Sequence, residues 1–511
     1  MQITEGLRLF LYATAMVTGA VVLVVEILGA KMLTPWFGSS HFVWTAQITI
    51  TLLALAAGYY LGGWLADRWS KLSLMYAGLV VAAVFLALTV LVRGKLAAAC
   101  LDLNLAVGSI VASLGLFFVP LTLLAAVGPY FVKVLAHSLQ DVGRAVGRLS
   151  ALGTVGSVVG VLVTSYVLVP YVQDSVALLG AGGILLAVSG LYFVIWGRGK
   201  GGGAAAAGAG LAIMLAVVGL REESRETLSS HIELDRANSH FGTMRILETR
   251  DGRMRLYLND NLTQNTYDPV GKRSLSMFTY ALHELAIGYV REVKRGLCLG
   301  MGVGIAPSRL AAAGVSVDVV EINPRVVPLA QRWFDFDPSR VNLILDDARH
   351  FLRLATNRYD VVQLDAFLGD SSPSHLMTRE AFGEIARVLN PEGVLVINSF
   401  ADFQEGRDFF GTALHRTLGS VFASVRVHMS PHGNTFFVAS KHRELNFRHP
   451  ADLSYVHPWV RPQLESALSK PVTVDDSKGL VLTDDFNPVD YFDAPNREAT
   501  RRMLARGAAS L

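Results

Sequence analysis

Three carboxylates in the second half of this 511-residue chain stand where they could do chemistry: Glu321, Asp347 and Asp365. Each closes a short apolar run, "VDVVE", "LILDD" and "YDVVQLD". Ahead of them "LCLGMGVGIA" places Gly300, Gly302 and Gly304 after another such run. Position 305 is Ile, so the dinucleotide fingerprint G-x-G-x-x-G is not met. G-x-G-x-G after a first strand suits a ligand without a pyrophosphate, such as S-adenosylmethionine. Glu321 is placed to accept both ribose hydroxyls, and Asp347, after Asp346, to accept the adenine amino group. Asp365 faces the glycine loop, where a carboxylate steadies a sulfonium and holds or deprotonates an amine. Glycines alone would equally make a tight strand–helix turn. Their company with Glu321 and Asp347 points to an adenosine.

These positions need a parallel sheet. Strands are expected over 296–299, 315–321 and 341–345, with a fourth in "YDVVQLDAF" and a fifth in "GVLVINSF". Helices are expected between them, over 306–313, 326–333, 348–354 and "EAFGEIARVL". Such alternation predicts a doubly wound, Rossmann-like α/β domain with its ligand at the carboxyl ends of the strands. Upstream, "SHFGTMRILET" and "RDGRMRLYLND" alternate apolar and polar residues around Asp251-Gly252, a hairpin signal. "SLSMFTYALHELAIGYV" has helical spacing.

The first half is of another kind. The chain is 52% hydrophobic and 17% charged, with a mean hydropathy of +0.40. Soluble proteins carry about 25% charged residues. Apolar runs over 7–30, 42–66, 72–92, 106–135, 149–171, 176–196 and 204–220 each approach the ~20 residues that cross a bilayer. Residues 95–104 could add a short span, so seven or eight are expected. Pro120 and Pro129 predict a bend in the fourth. Glu26 lies inside the first span, where a charge costs roughly 2.5–3.5 kcal/mol; it marks a substrate or ion site, or a structural hydrogen bond. "GYYLGGWLADRWSK" resembles a loop of major facilitator transporters, and equally reads as a small-residue packing face.

Domains are therefore expected at 1–220 (membrane helices), 221–268 (linker and small β-hairpin domain) and 269–511 (α/β domain with a C-terminal extension). A net charge of +3 without a basic run excludes nucleic acid as an obvious partner. Two cysteines, Cys100 and Cys298, give no disulfide framework. Arg68 and Lys71, then Lys133, Arg144 and Arg148, then Arg198 and Lys200 fall in alternate loops, which the positive-inside rule places in the cytoplasm with the N-terminus. Seven spans would leave the second half outside; eight, or a final segment that does not cross, would keep it inside. A cytoplasmic location is expected, since S-adenosylmethionine is made there.

"LYLNDNLTQN", the Tyr/His/Glu helix, "LGMGVGIA", "VEIN", "DDARHFL", "YDVVQLDAF" and "LTDDFNPVDYF" in this order resemble the spermidine synthase family of aminopropyltransferases. With the membrane half, the chain resembles the membrane-fused spermidine-synthase-like proteins of prokaryotes. The resemblance implies that Gln264 contacts the side chain of the adenosyl substrate, that Glu321 and Asp347 bind ribose and adenine, and that Asp365 is catalytic. It implies aminopropyl transfer from decarboxylated S-adenosylmethionine to a diamine such as putrescine. Methylthioadenosine is released, no metal is used and a homodimer is expected. Two family aspartates are missing: Val303 stands for one and Leu368 for the other, with Asp370 a possible substitute. "YALHEL" matches the family's Tyr-His-Glu with a shift, so Tyr280, His283 and Glu284 are candidate substrate contacts, or a polar helix edge. The missing carboxylates leave open a lyase that cleaves S-adenosylmethionine to methylthioadenosine and homoserine lactone. A methyltransferase fits the hairpin and Gln264 less well. A transporter or sensor with a non-catalytic ligand domain is the alternative of another class.

Overall fold

The computed structural model describes residues 3–38, 41–69, 71–136, 139–197, 202–228, 231–260, 262–367, 372–430, 433–469 and 471–499. The chain divides into two compact units, Met1–Ser229 and Ser230–Leu511.

The first unit is helical: α1 (Glu5–Phe37), α2 (His41–Arg68), α3 (Leu72–Cys100), α4 (Leu105–Ala125), α5 (Val127–Leu135), α6 (Leu139–Val163), α7 (Val169–Tyr171), α8 (Asp174–Ile195) and α9 (Gly202–Leu228). Among the described residues, seven helical stretches are long and apolar enough to cross a bilayer, α4–α5 and α6–α7 each counting once. The possible eighth does not form. Residues 95–100 continue α3, and Asn104 starts α4 by accepting from the Val107 amide at 2.8 Å. The bend expected from the prolines falls at Ala126, between α4 and α5. Pro129 rejects the carbonyl four residues earlier, at Ala125, so the helix cannot run straight through. Small residues bring helices together. A Cβ on Gly156 would lie 1.9 Å from the Met16 carbonyl, and one on Gly62, from "GYYLGGWLADR", 2.3 Å from that of Ala126. Outward faces stay apolar, with Leu52, Val158, Val194 and Ile213 at least half exposed.

The second unit opens with a five-stranded antiparallel sheet in chain order: β1 (His231–Ser239), β2 (Gly242–Thr249), β3 (Arg255–Asn259), β4 (Leu262–Asp268) and β5 (Arg273–Ser274). Asp251 and Gly252 make the β2–β3 turn, with Gly252 at φ +69°. The sheet is larger than one hairpin because the Ser239–Gly242 turn folds β1 onto β2.

Then follow α10 (Met277–Gly288), β6 (Arg295–Leu299), α11 (Ile305–Ala312), β7 (Ser316–Glu321), α12 (Val326–Trp333), β8 (Asn342–Leu345), α13 (Ala348–Leu354), β9 (Tyr359–Leu364), α14 (Arg379–Val388), β10 (Leu389–Ser399), α15 (Phe409–Gly419), β11 (Ser424–Met429), β12 (Thr435–Ser440) and α16 (Arg461–Ser469). Strand order is β11-β12-β10-β9-β6-β7-β8, with β12 antiparallel to both its neighbours. From β6 the chain works outward to β8, then returns to β9 on the other side of β6. That reversal opens a crevice at the carboxyl ends of β6 and β9. Alternation sorts the side chains by face. Val362, Leu364, Leu395 and Ile397 pack under α13–α15, and Val361, Val394 and Val396 under α10 and α16.

Candidate active site

The glycine loop follows β6. Gly300 has φ +97°, and a Cβ there would lie 2.2 Å from the Asp365 carbonyl oxygen. The two strand ends thus touch backbone to backbone, which only glycine permits. Gly304 starts α11 at φ +81°, with the Phe336 ring where a Cβ would go. Gly302, at φ +55°, turns the backbone between them.

Glu321 ends β7 and is buried. Its Oε2 accepts from the Met301 amide at 3.0 Å and its Oε1 from the Asn323 amide at 2.7 Å. The carboxylate therefore fastens the glycine loop and keeps further lone pairs for a ligand. Burial pushes its carboxyl up, opposed by these backbone amides and with no cationic side chain contributing.

Asp365 follows β9. It shares its strand face with Gln363, whose amide donates to the Leu282 carbonyl of α10 at 3.1 Å. The Asp365 carboxylate accepts from Asn398 Nδ2 at 2.9 Å, and Asn398 Oδ1 accepts from Asn434 at 3.0 Å. Burial pushes its carboxyl up to about 6, opposed only by the Asn398 bond. Asn398 escaped the sequence reading. It ends the "VLVIN" run as Asp365 ends "VVQLD", and that shared position was the available signal.

Asp347 is the N-cap of α13, its Oδ1 accepting from the Arg349 and His350 amides at 2.9 and 3.0 Å. Its Oδ2 lies 3.6 Å from His375 Nε2. Beside it opens a cleft of about 440 Å³, lined among others by His350, His375, Thr483 and Asn487. Arg349 closes its base with ion pairs to Glu384 at 2.7 Å and Asp484 at 2.8 Å. The Asp484 bond gives "LTDDFNPVDYF" its physical role: it clamps the tail onto α13. Gln264 is half-buried, the extra residue in a β-bulge of β4. Its neighbour Asn265 is buried, with Oδ1 3.4 Å from where a Cβ on Gly302 would stand.

Residues 297–397 match a family described as "Methyltransferase domain". A "Polyamine aminopropyltransferase" of Vibrio vulnificus is 39% identical over 141 residues, 26% of this chain and 46% of that protein. Over that stretch this chain is similar in sequence to a polyamine aminopropyltransferase. An "N-terminal histidine N-methyltransferase" of Emericella nidulans is 33% identical over 26% of this chain and 24% of its own length. The chain thus spans less than half the length of these two curated relatives. A spermidine synthase structure from Thermotoga maritima shares 19% identity at a TM-score of 0.37, covering 45% of this chain and 87% of that one.

Tyr280, His283 and Glu284 are all buried on α10 and gather around Tyr455. Tyr280 donates to the Ser274 carbonyl at 2.8 Å. Glu284 accepts from the Asp452 amide at 3.0 Å and from the Tyr455 hydroxyl. The Arg309 guanidinium lies 3.2 Å above the Tyr455 ring. Burial raises the Glu284 carboxyl, and Arg309 is among the groups that oppose it. His283 Nδ1 is buried without a partner, and burial, then Arg309, lowers its imidazole to about 4. Asp370, with Leu368, lies outside the described residues. Among the described residues, no three His, Cys, Asp or Glu side chains gather as a metal site requires.

Proposed function

We propose that the C-terminal half transfers an aminopropyl group from decarboxylated S-adenosylmethionine to a diamine, with putrescine the simplest acceptor. Glu321 accepts the ribose hydroxyls, Asp347 Oδ2 the adenine amino group, and the glycine loop with Gln264 lies along the substrate. The amine nitrogen attacks the methylene carbon bonded to the sulfonium. The carbon–sulfur bond breaks, its electrons stay on sulfur, and methylthioadenosine leaves neutral. Asp365 holds the amine and takes its proton. Placement supplies much of the rate, because reactants held in line react as one molecule. One observation carries this reading: Asp365 stands at the switch point, backbone to backbone with the glycine loop, with no cationic partner among the described residues.

The polyamine aminopropyltransferase relative and the sequence motifs support transfer over the alternatives. The test is turnover by the detergent-solubilised chain, followed by mass spectrometry. Spermidine and methylthioadenosine are expected only with the decarboxylated substrate and putrescine together. Methylthioadenosine from intact S-adenosylmethionine without an amine would make the protein a lyase. Ligand binding without turnover would make it a sensor.

We also assign the N-terminal half to a lipid bilayer and the C-terminal half to the cytoplasm, where its substrate is made. With seven crossings the loop charges put the two on opposite sides, so one helix must lie without crossing. We assign this to α9, whose apolar stretch is only 11% buried. Thiol labelling of a cysteine placed at position 253, in intact cells, should fail without permeabilisation; labelling from outside rejects the assignment.

A further inference from the structure

Glu26 lies on α1 beside the Thr51 hydroxyl of α2, and among the described residues no cationic side chain offsets its charge. The nearest lysine in sequence, Lys31, is committed to Asp174 at 3.0 Å. One turn along, Gln47 of α2 rests against Gly29 of α1, where a Cβ would come within 2.6 Å of its amide nitrogen. Gln47 is fully buried, yet neither its amide nitrogen nor its amide oxygen has a hydrogen-bond partner. Ser113 Oγ is likewise buried and unpaired, and Thr51 Oγ1 is buried with the Glu26 carboxylate beside it. Ser113 belongs to this group by register. Ser109, one turn earlier on α4, donates to the Phe42 carbonyl at 3.5 Å, and Gly58 meets Thr122 and Ala125. Helices α2 and α4 therefore run side by side in one direction, with Ser113 level with Gln47.

Unpaired buried polar atoms are costly, and an ionisable residue among apolar helices marks a functional site by default. Here one carboxylate and three neutral side chains lie within about one helical turn of each other, roughly 9–15 Å below the start of α2 at 1.5 Å per residue. We propose that Glu26, Gln47, Thr51 and Ser113 form a binding site for a primary ammonium cation. An ammonium brings one charge and three N–H donors. The carboxylate answers the charge, and the Gln47 carbonyl and two hydroxyls answer the donors. A divalent ion suits this set poorly: calcium takes about six to eight oxygens, usually from several carboxylates. The backbone carbonyls here are held within helices. The site does not depend on the chemistry assigned to the C-terminal half.

Equilibrium dialysis of radiolabelled putrescine against the full chain in lipid nanodiscs tests it. Glu26→Gln should bind one equivalent fewer than wild type, with methylthioadenosine release changed less than twofold. Gln47→Leu removes both unpaired amide atoms. It should melt at or above the wild-type temperature and bind at this site at least tenfold more weakly. Equal binding by wild type and both folded variants overturns the proposal. Displacement by sodium at concentrations where choline has no effect overturns the ammonium assignment. The count needs no turnover, so an inactive C-terminal half would leave its outcome readable.

Discussion

Two groups of buried or half-buried carboxylates in the C-terminal half are treated differently by their surroundings. Glu321 and Asp365 sit at strand ends, held by neutral donors alone: backbone amides for one, Asn398 for the other. Glu284 on α10 has a tyrosine hydroxyl on one oxygen and the Arg309 charge nearby. A buried carboxylate without a cation is expensive to keep ionised. It is worth keeping where a cation or a row of hydroxyls will arrive as ligand. A compensated carboxylate has less to gain from one. By this contrast we assign Glu321 and Asp365 to the proposed chemistry, and Glu284 to the scaffold that carries His283 and Tyr455.

The sharpest way to break the contrast is Asp365→Asn, which keeps shape and removes charge. Methylthioadenosine release should fall by roughly 100-fold or more, the scale of general-base catalysis, while methylthioadenosine still binds. In wild type, kcat/KM should rise with pH through about 6, as the raised carboxyl ionises, and the variant should lose that limb. A near-wild-type rate would remove Asp365 from the mechanism.

Next comes Glu321→Ala. It removes the proposed ribose acceptor and strands the Met301 and Asn323 amides, so methylthioadenosine affinity should drop by about 1–3 kcal/mol. Calorimetry giving an unchanged Kd would take Glu321 out of the site.

A third effect is on stability. The folded Asp365 carboxyl titrates at about 6 against 3.8 unperturbed, so its favourable contribution is complete below 3.8 and lost as pH rises through about 6. At pH 8 Asp365→Asn should therefore be the more stable protein, by about 3 kcal/mol. Near pH 3.5 the difference should vanish. Denaturant melts at the two pH values measure both, and a variant equally stable at both would show that Asp365 is not strained by burial.

The smallest effect belongs to the compensated carboxylate. Glu284→Gln should leave the KM for putrescine within about twofold and lower stability by about 1 kcal/mol, one neutralised hydrogen-bonded pair. A tenfold rise in KM would move Glu284 from scaffold to substrate contact and erase the distinction.

Much of this half was legible because its signals are local. Helix α12 at Val326–Trp333 and α13 at Ala348–Leu354 fall where periodicity put them, and β7, β8 and β9 lie within about a residue of expectation. Strand ends place Glu321 and Asp365 because a parallel sheet aligns its carboxyl ends. The β11–β12 hairpin was not legible: β12 is placed only by pairing with β10, and β11 only by pairing with β12. Nor was the extra pair on the small sheet, β1 with β2, where "SHFG" turns between strands rather than lying within one.

The sequence by itself determined the two kinds of half, the glycine loop and the strand-end carboxylates, since each depends on neighbours a few positions away. Tertiary structure decided which carboxylates are left without a cation. Asn398 reaches Asp365 across 33 positions and Tyr455 reaches Glu284 across 171, and Arg309 meets Tyr455 only because α11 folds against the chain after β12. Charge compensation falls off over a few ångströms and takes no account of separation along the chain, so it is settled only when the sheet closes and its helices pack.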